Sequence, residues 1–419
     1  MLNGLKNKTN RFLIWSQKYT RTDNVYLAKG GFWIILEHTV ATIAGLLLAV
    51  AFANLLDPVT YGNYKYILSL VGILGVFALS GVKTAIIQAT ARGLEGSFYA
   101  GFKAKLKWSL LGSLAAIGGA VYYFMRGNEI LPIPLLLSAI FLPLMQASRV
   151  YGGFLSGKKL FNIGAKCGIV TTIVSVIIMV TTLFLTKHLL WLIAVYFISN
   201  TFLNYFFYLL IKFKLRPNKK EDPQTISYGK HLSFMGIIGR ITKQLDKVLL
   251  FSFIGPTELA IYSFAVLIPI QISDILGNIS SVALPKLAVK SNEEIRSTLI
   301  KKVWKLFPLA IIIIIVYIIA APYIYKIFFP QYLSSIPYSQ LSILYLIVFP
   351  FYFLSNAFQA KMMKRNLYIL KIVDVLRLIF LLVLIPLYGV MGAVVALLGT
   401  QILRGVLVLF LFYFSLRKR

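Results

Sequence analysis

Apolar stretches long enough to cross a bilayer recur from one end of this chain to the other, and nothing constrains its fold more. A hydrocarbon core about 30 Å thick takes roughly 20 apolar residues in a helix. The runs predict twelve spans, at about 31–55, 66–88, 107–125, 131–153, 166–186, 188–211, 231–254, 259–284, 304–325, 338–359, 367–387 and 390–414. The chain therefore reads as an all-α integral membrane protein. Only 13% of its 419 residues are charged, against about 25% in a soluble protein, which excludes a soluble core. Cys167 is the single cysteine, so no intrachain disulfide scaffold exists. The first 29 residues are polar and basic. The apolar run that starts at Gly31, about 25 residues long, exceeds a signal-peptide h-region, so no cleaved leader is expected.

The links between spans are short, and the longest, 212–230 and 285–303, are too small for a folded domain. Function must then lie in the membrane or on short loops. Cytoplasmic loops retain Lys and Arg. With the N-terminus inside, 33 of the 43 Lys and Arg fall on the inner face, against Lys65, Arg126, Lys187 and Lys326 outside. The expected protein is multi-pass in the plasma or inner membrane, with both termini cytoplasmic. The net charge of +30 is then explained without nucleic acid. A basic patch for anionic membrane lipids is a secondary reading. The expected organisation is an amphipathic cytoplasmic segment at 1–30, a six-helix lobe at 31–211, a cytoplasmic linker at 212–230 and a second six-helix lobe at 231–419.

Two segments echo each other. LDPVTYGNY (Leu56–Tyr64) and IGPTELAIY (Ile254–Tyr262) align Pro58 with Pro256 and Tyr64 with Tyr262, each after the first span of a six-span half. A looser echo pairs Lys158–Lys159 with Lys364–Arg365. Six spans per half keep the two halves in one orientation, as in parallel-repeat transporters, which hold substrate between their halves.

A charge at the bilayer centre costs at least about 2.5–3.5 kcal/mol, so such residues should face a bundle interior or a wet cavity. Leaving aside span-end residues counted with the inner face, ten lie within the predicted spans: Glu37, Lys83, Arg240, Lys243, Asp246, Lys247, Asp274, Asp374, Arg377 and Arg404. At about 100° per residue, Lys243, Gln244, Lys247 and Ser233 all fall within about 60° of Arg240, forming one polar stripe. Ile238, Ile241, Leu245 and Leu249 occupy the other side. Gln271, Asp274, Asn278 and Ser281 share a face of the next helix. With Glu37, His38, Thr42 and Lys83, these residues predict a central cavity walled by helices 1, 2, 7 and 8. Asp374 and Arg377, at i and i+3, are expected to neutralise each other, and Lys83 could snorkel. Three cations on one stripe repel each other, so Arg240 and Lys243 are assigned to function. Prolines 143, 269, 308 and 350 are expected to kink their helices.

No H-E-x-x-H, G-x-S-x-G or Walker motif occurs, nor a D-x-D pair. Three histidines and one cysteine form no metal cluster. An enzyme is not expected, nor a cofactor, and a membrane-embedded polymerase or glycosyltransferase would need a larger external loop. Uphill transport would have to use an ion gradient.

Five segments carry a resemblance: LLDPVTYGNY (55–64), GVKTAIIQATAR (81–92), GRITKQLDKVLLFSFIGPTELAIYSFA (239–265), LPKLA (284–288) and IPLYGVMGAVVALLGTQI (385–402). In family order across almost the whole chain, they resemble the polysaccharide transport family of oligosaccharide flippases. That family belongs to the multidrug, oligosaccharidyl-lipid and polysaccharide exporter superfamily. One departure is Ala260, where the family carries a glycine ahead of the tyrosine. The resemblance implies two six-helix lobes around an alternating-access cavity and a cargo of polyprenyl-diphosphate-linked oligosaccharide. It also points to the polysaccharide polymerase machinery as a partner. A cationic stripe suits a diphosphate, because arginine offers a forked donor and lysine a point charge. Candidate cargo ligands are Arg240, Lys243, Gln244, Lys247, Lys83, Asn278 and Arg404. Candidates for coupling to H+ or Na+ are Asp274, Glu37 and Asp246. The runner-up reading is an ion-coupled exporter of small amphipathic compounds.

Overall fold

The computed structural model describes residues 24–281, Leu287, 291–361 and 363–415. The 1–23 part of the expected amphipathic segment, most of LPKLA and the side chain of Ser281 lie outside the described residues. Every described element is helical. The elements are α1 (Asn24–Leu55), α2 (Pro58–Ala78 and Val82–Ala91), α3 (Ser97–Met125), α4 (Pro132–Gly157), α5 (Phe161–Leu185) and α6 (Leu189–Leu215). They continue as α7 (Gln224–Met235 and Ile237–Phe253), α8 (Pro256–Ser281), α9 (Asn292–Phe328) and α10 (Pro330–Val348 and Phe351–Ala360). The last helix, Lys364–Ser415, has 52 residues and would measure about 78 Å at about 1.5 Å per residue. That is over twice the hydrocarbon core. It breaks at Gly389, with φ 56° and ψ −129°, into α11 (364–388) and α12 (390–415).

Among the described residues, eight helices are long and apolar enough to cross a membrane, and α2 and α10 qualify as bent pairs. Dividing the last helix adds one span, and α7, whose ionisable residues keep it off that count, makes twelve. Pro58 and Pro256 open α2 and α8. Proline suits a first helical position because its missing N–H would have no partner there. The repeated motif therefore marks the same structural point twice.

Several boundaries depart from expectation. Helix α2 starts at Pro58, so Lys65 is not a loop residue: it sits inside the helix with Nζ 5.3 Å from the Tyr61 ring centroid. Of the four prolines, Pro350 stands at a break with a bend of 49°. The described helices run on through Pro143, Pro269 and Pro308. Further breaks fall where no proline stands: α2 bends by 45° where Leu79 takes a left-handed φ of 47°, and α7 breaks at Gly236.

The chain forms two compact units. The first comprises the described residues up to Ala49, Leu74–Thr186 and Leu190–Gly236. Its core packs Val82, Ile86, Phe98, Phe154, Tyr208 and Ile211, with Phe98 stacked on Tyr208 at 5.0 Å. Part of the expected linker is strapped onto this unit. The Gly96 N–H donates to the Lys220 carbonyl at 2.8 Å, and the Asn218 N–H to Glu95 at 3.1 Å. Glu95 also pairs with Lys158, and Asp222 with Arg92. The Gln224 N–H and the Arg92 guanidinium hold the Asp222 carboxyl below the usual range. Helix α7 starts at Gln224 rather than 231, and Ser233 is not on the cationic stripe. Gly236 ends its helix, and the Ser233 hydroxyl accepts the Gly81 N–H at 2.9 Å and donates to the Gly229 carbonyl at 2.6 Å.

The second unit holds Val50–Ile73, Lys187–Leu189 and Ile237 onward. One core cluster packs Leu354, Phe358, Val408 and Phe412. The two copies of the repeated motif meet here. A Cβ at Gly62 would overlap the Pro256 carbonyl, Tyr61 stacks on Phe264 at 4.8 Å, and Tyr66 on Phe251 at 3.7 Å.

Candidate functional site

The second half of α7, Ile237–Phe253, buries Thr242, Asp246 and Leu250. Thr242 is satisfied within its own helix, its hydroxyl donating to the Ile238 carbonyl at 2.7 Å. Asp246 is 4% exposed. Its carboxylate accepts the Tyr262 hydroxyl of α8 at 2.7 Å, Arg377 Nη2 of α11 at 3.2 Å and the Lys247 N–H at 2.9 Å. A buried charge persists when a counter-charge and hydrogen bonds fill its lone pairs. One aspartate thus ties three helices together.

This arrangement corrects the expected Asp374–Arg377 pair. Arg377 is taken by Asp246, while Asp374 pairs with Arg404 of α12 and with Lys371 at 3.4 Å. The reason is economy of charge: a local i,i+3 pair would leave Arg404 unmatched and Asp246 with only Lys247, at 3.9 Å.

The cations of α7 divide into two kinds. Lys247 Nζ folds along its own helix, 3.2 Å from Gln244 Oε1 and 3.4 Å from the Lys243 carbonyl. Arg240 and Lys243 are exposed. Among the described residues neither side chain has an ion-pair or hydrogen-bond partner.

A second feature of this unit is an open cavity of about 300 Å³ between α8, α10 and α12. Asp274, Asn278, Tyr352, Ser355, Gln401 and Arg404 line it. Ser273 and the Tyr352 hydroxyl, 3.0 Å apart, bridge α8 to α10. Of the expected site, the structure brings Asp274, Asn278 and Arg404 to this cavity and Arg240, Lys243, Gln244 and Lys247 to one helix. Glu37 and Lys83 belong to the other unit. A Cβ at Gly168 would overlap the Glu37 carboxylate, and one at Gly153 would press on Lys83 at 3.0 Å. Tyr262, Tyr352 and Gln401 were not among the expected site residues. Tyr262 stands in the repeated motif and Gln401 in the last resembling segment, which are the signals that mark them.

The sequence profile of the family described as "Polysaccharide biosynthesis protein" matches residues 27–289. No curated relative matches the chain. Among solved structures, the chain is similar to the inward-facing conformation of a multidrug resistance MATE family transporter of the MOP superfamily. The TM-score is 0.66 at 12% identity, covering 90% of this chain and 94% of that one. An outward-facing conformation of such a transporter gives 0.59 at 12% identity, covering 93% and 97%. A MOP superfamily transporter from Pyrococcus furiosus, reported for the reverse polarity of its binding pocket, gives 0.62 at 12% identity, covering 93% and 97%. At such identities the likeness is one of fold.

Proposed function

Since the chain belongs to the polysaccharide biosynthesis protein family and has the fold of the MOP transporters, we propose that it flips a polyprenyl-diphosphate-linked oligosaccharide across the membrane. The cargo moves from the cytoplasmic to the outer leaflet by alternating access, coupled to H+ or Na+, and feeds cell-surface polysaccharide synthesis. Its delivery partner is the polysaccharide polymerase machinery.

The observation that carries this reading is the pair Arg240 and Lys243. Asp246 and Asp374 have their cations in Arg377 and Arg404, so these two remain as uncompensated positive charge. An anionic diphosphate supplies the missing charge: Arg240 gives it two parallel donors and Lys243 a third. Gln244 and Lys247 extend the same stripe. Asn278 and Arg404 offer donors to the sugars, and Lys83 serves the other unit. Asp274, on the wall of the open cavity, is the coupling group we favour. Glu37 is packed against Gly168 and Asp246 is committed to Arg377.

Purified protein in liposomes should move a fluorescent polyprenyl-diphosphate oligosaccharide, with a rate that responds to a pH or sodium gradient. Arg240→Ala should abolish the movement while leaving the thermal midpoint unchanged, and Arg240→Lys should retain part of it. The solved neighbours named as multidrug transporters favour a second reading, export of amphipathic compounds. Transport of cationic dyes with no movement of the oligosaccharide would establish that reading and remove the first.

A further inference from the structure

A cavity of about 260 Å³ in the first unit is lined by Ile163, Lys166, Cys167 and Val170 of α5 and by Phe207, Leu210, Ile211, Lys214 and Leu215 of α6. It takes no part in the function proposed above. Lys166 lies near the start of α5 and Lys214 near the end of α6, so both stand at the same membrane face, the one rich in Lys and Arg. Both side chains are exposed. Neither has an ion-pair or hydrogen-bond partner among the described residues. Lys166 Nζ instead sits 5.7 Å from the ring centroid of Trp33 on α1, and tryptophan favours the headgroup level of a bilayer.

The rest of the slot is apolar. Of its lining, Val170 is 44% exposed. Its floor is Cys167, Phe207 and Ile211, all members of the buried core around Phe98 and Phe154. A packed floor closes the slot inward, so it holds a resident molecule rather than passing one through.

We propose that this slot binds one anionic glycerophospholipid of the basic-side leaflet. Lys166 and Lys214 clasp the phosphate headgroup, and an acyl chain lies against Ile163, Val170 and Leu210. Basic pockets between transmembrane helices on the cytoplasmic side recognise anionic headgroups in this way. The closed floor argues for a phospholipid over the transported lipid, whose route must open to each side of the membrane in turn. The proposal depends on one helix pair and stands whatever the transporter carries.

A variant retaining Trp33 as its sole tryptophan tests it, by fluorescence quenching in vesicles of brominated phosphatidylglycerol or brominated phosphatidylcholine. We expect about a tenfold preference for phosphatidylglycerol at the quenching site. Lys166→Ala with Lys214→Ala should erase it, and Lys166→Arg with Lys214→Arg should keep it. Lys103→Ala with Lys107→Ala, which removes the same charge from exposed positions on α3, should leave it intact. Equal quenching by the two lipids, or equal loss in the α3 variant, would overturn the proposal. So would stronger displacement of brominated phosphatidylcholine by a polyprenyl diphosphate than by phosphatidylglycerol, which would assign the slot to the cargo.

Discussion

Asp246 shows how a single side chain organises a half-helix, Ile237–Phe253, that carries four charged groups. Removing one partner of a buried pair leaves the other charge uncompensated, at about 3–5 kcal/mol. Arg377→Gln is therefore expected to lower the thermal midpoint sharply in detergent. Asp246→Asn combined with Arg377→Gln should recover much of that loss, because both charges of the interhelix bridge are gone and only Lys247, which also contacts Gln244, loses an anion. Arg240→Ala, with no partner to strand, should leave the midpoint where it was. The ten intramembrane charges were legible from composition and span position alone. Their pairing was not, since the i,i+3 spacing of Asp374 and Arg377 does not show which partners other helices bring. Once α7 and α12 pack against α11, Asp246 and Arg404 each bring an opposite charge to within reach. Ser233 escaped for a related reason: the periodicity continues through Gly236 but the helix does not.

At the scale of elements, the α11–α12 hairpin depends on glycine at two positions. Gly389 holds φ at 56°, and a Cβ at Gly392 would overlap the Leu384 carbonyl. Gly392→Ala should cost about 1–3 kcal/mol through the forced backbone shift. Gly399→Ala has open space in the same helix and should be neutral or gain up to about 1 kcal/mol. Thermal scans of the two variants should therefore move in opposite directions, or the second not at all. The strap that holds 216–223 to the first unit makes a different prediction. Asp222 is held below its usual range by hydrogen bonds and Arg92. Its contribution is complete above an unfolded-state value of about 3.9 and is lost as pH falls through the lower folded value. Limited proteolysis of the strap should be unchanged between about pH 5 and 8. It should quicken in Asp222→Asn at neutral pH. Spans were legible because bilayer thickness dictates their length. The bends at Leu79 and Gly236 were not, because local packing decides them.

For the whole molecule, we propose from the Lys and Arg asymmetry that both termini are cytoplasmic. In a Cys167→Ser background, cysteines at 219 and 294 should resist an impermeant thiol reagent added outside, and those at 129 and 326 should react. Strong labelling at 219 would reverse the topology. Seen from the ribosome, the Asp246–Arg377 bridge also sets a timetable for manufacture. The second half of α7 is not apolar enough to settle in lipid by itself, with each central charge costing about 2.5–3.5 kcal/mol on the insertion scale. The counter-charge that Asp246 draws from another helix lies 131 residues downstream. At roughly 5–20 residues per second, α7 waits about 7–26 s for Arg377 to be made. During that interval the helix must shelter in the insertion machinery or at the membrane surface. Nascent chains that stop before Arg377 should therefore accumulate with α7 outside the bilayer and be cleared by membrane proteases, while chains extended past α11 should mature.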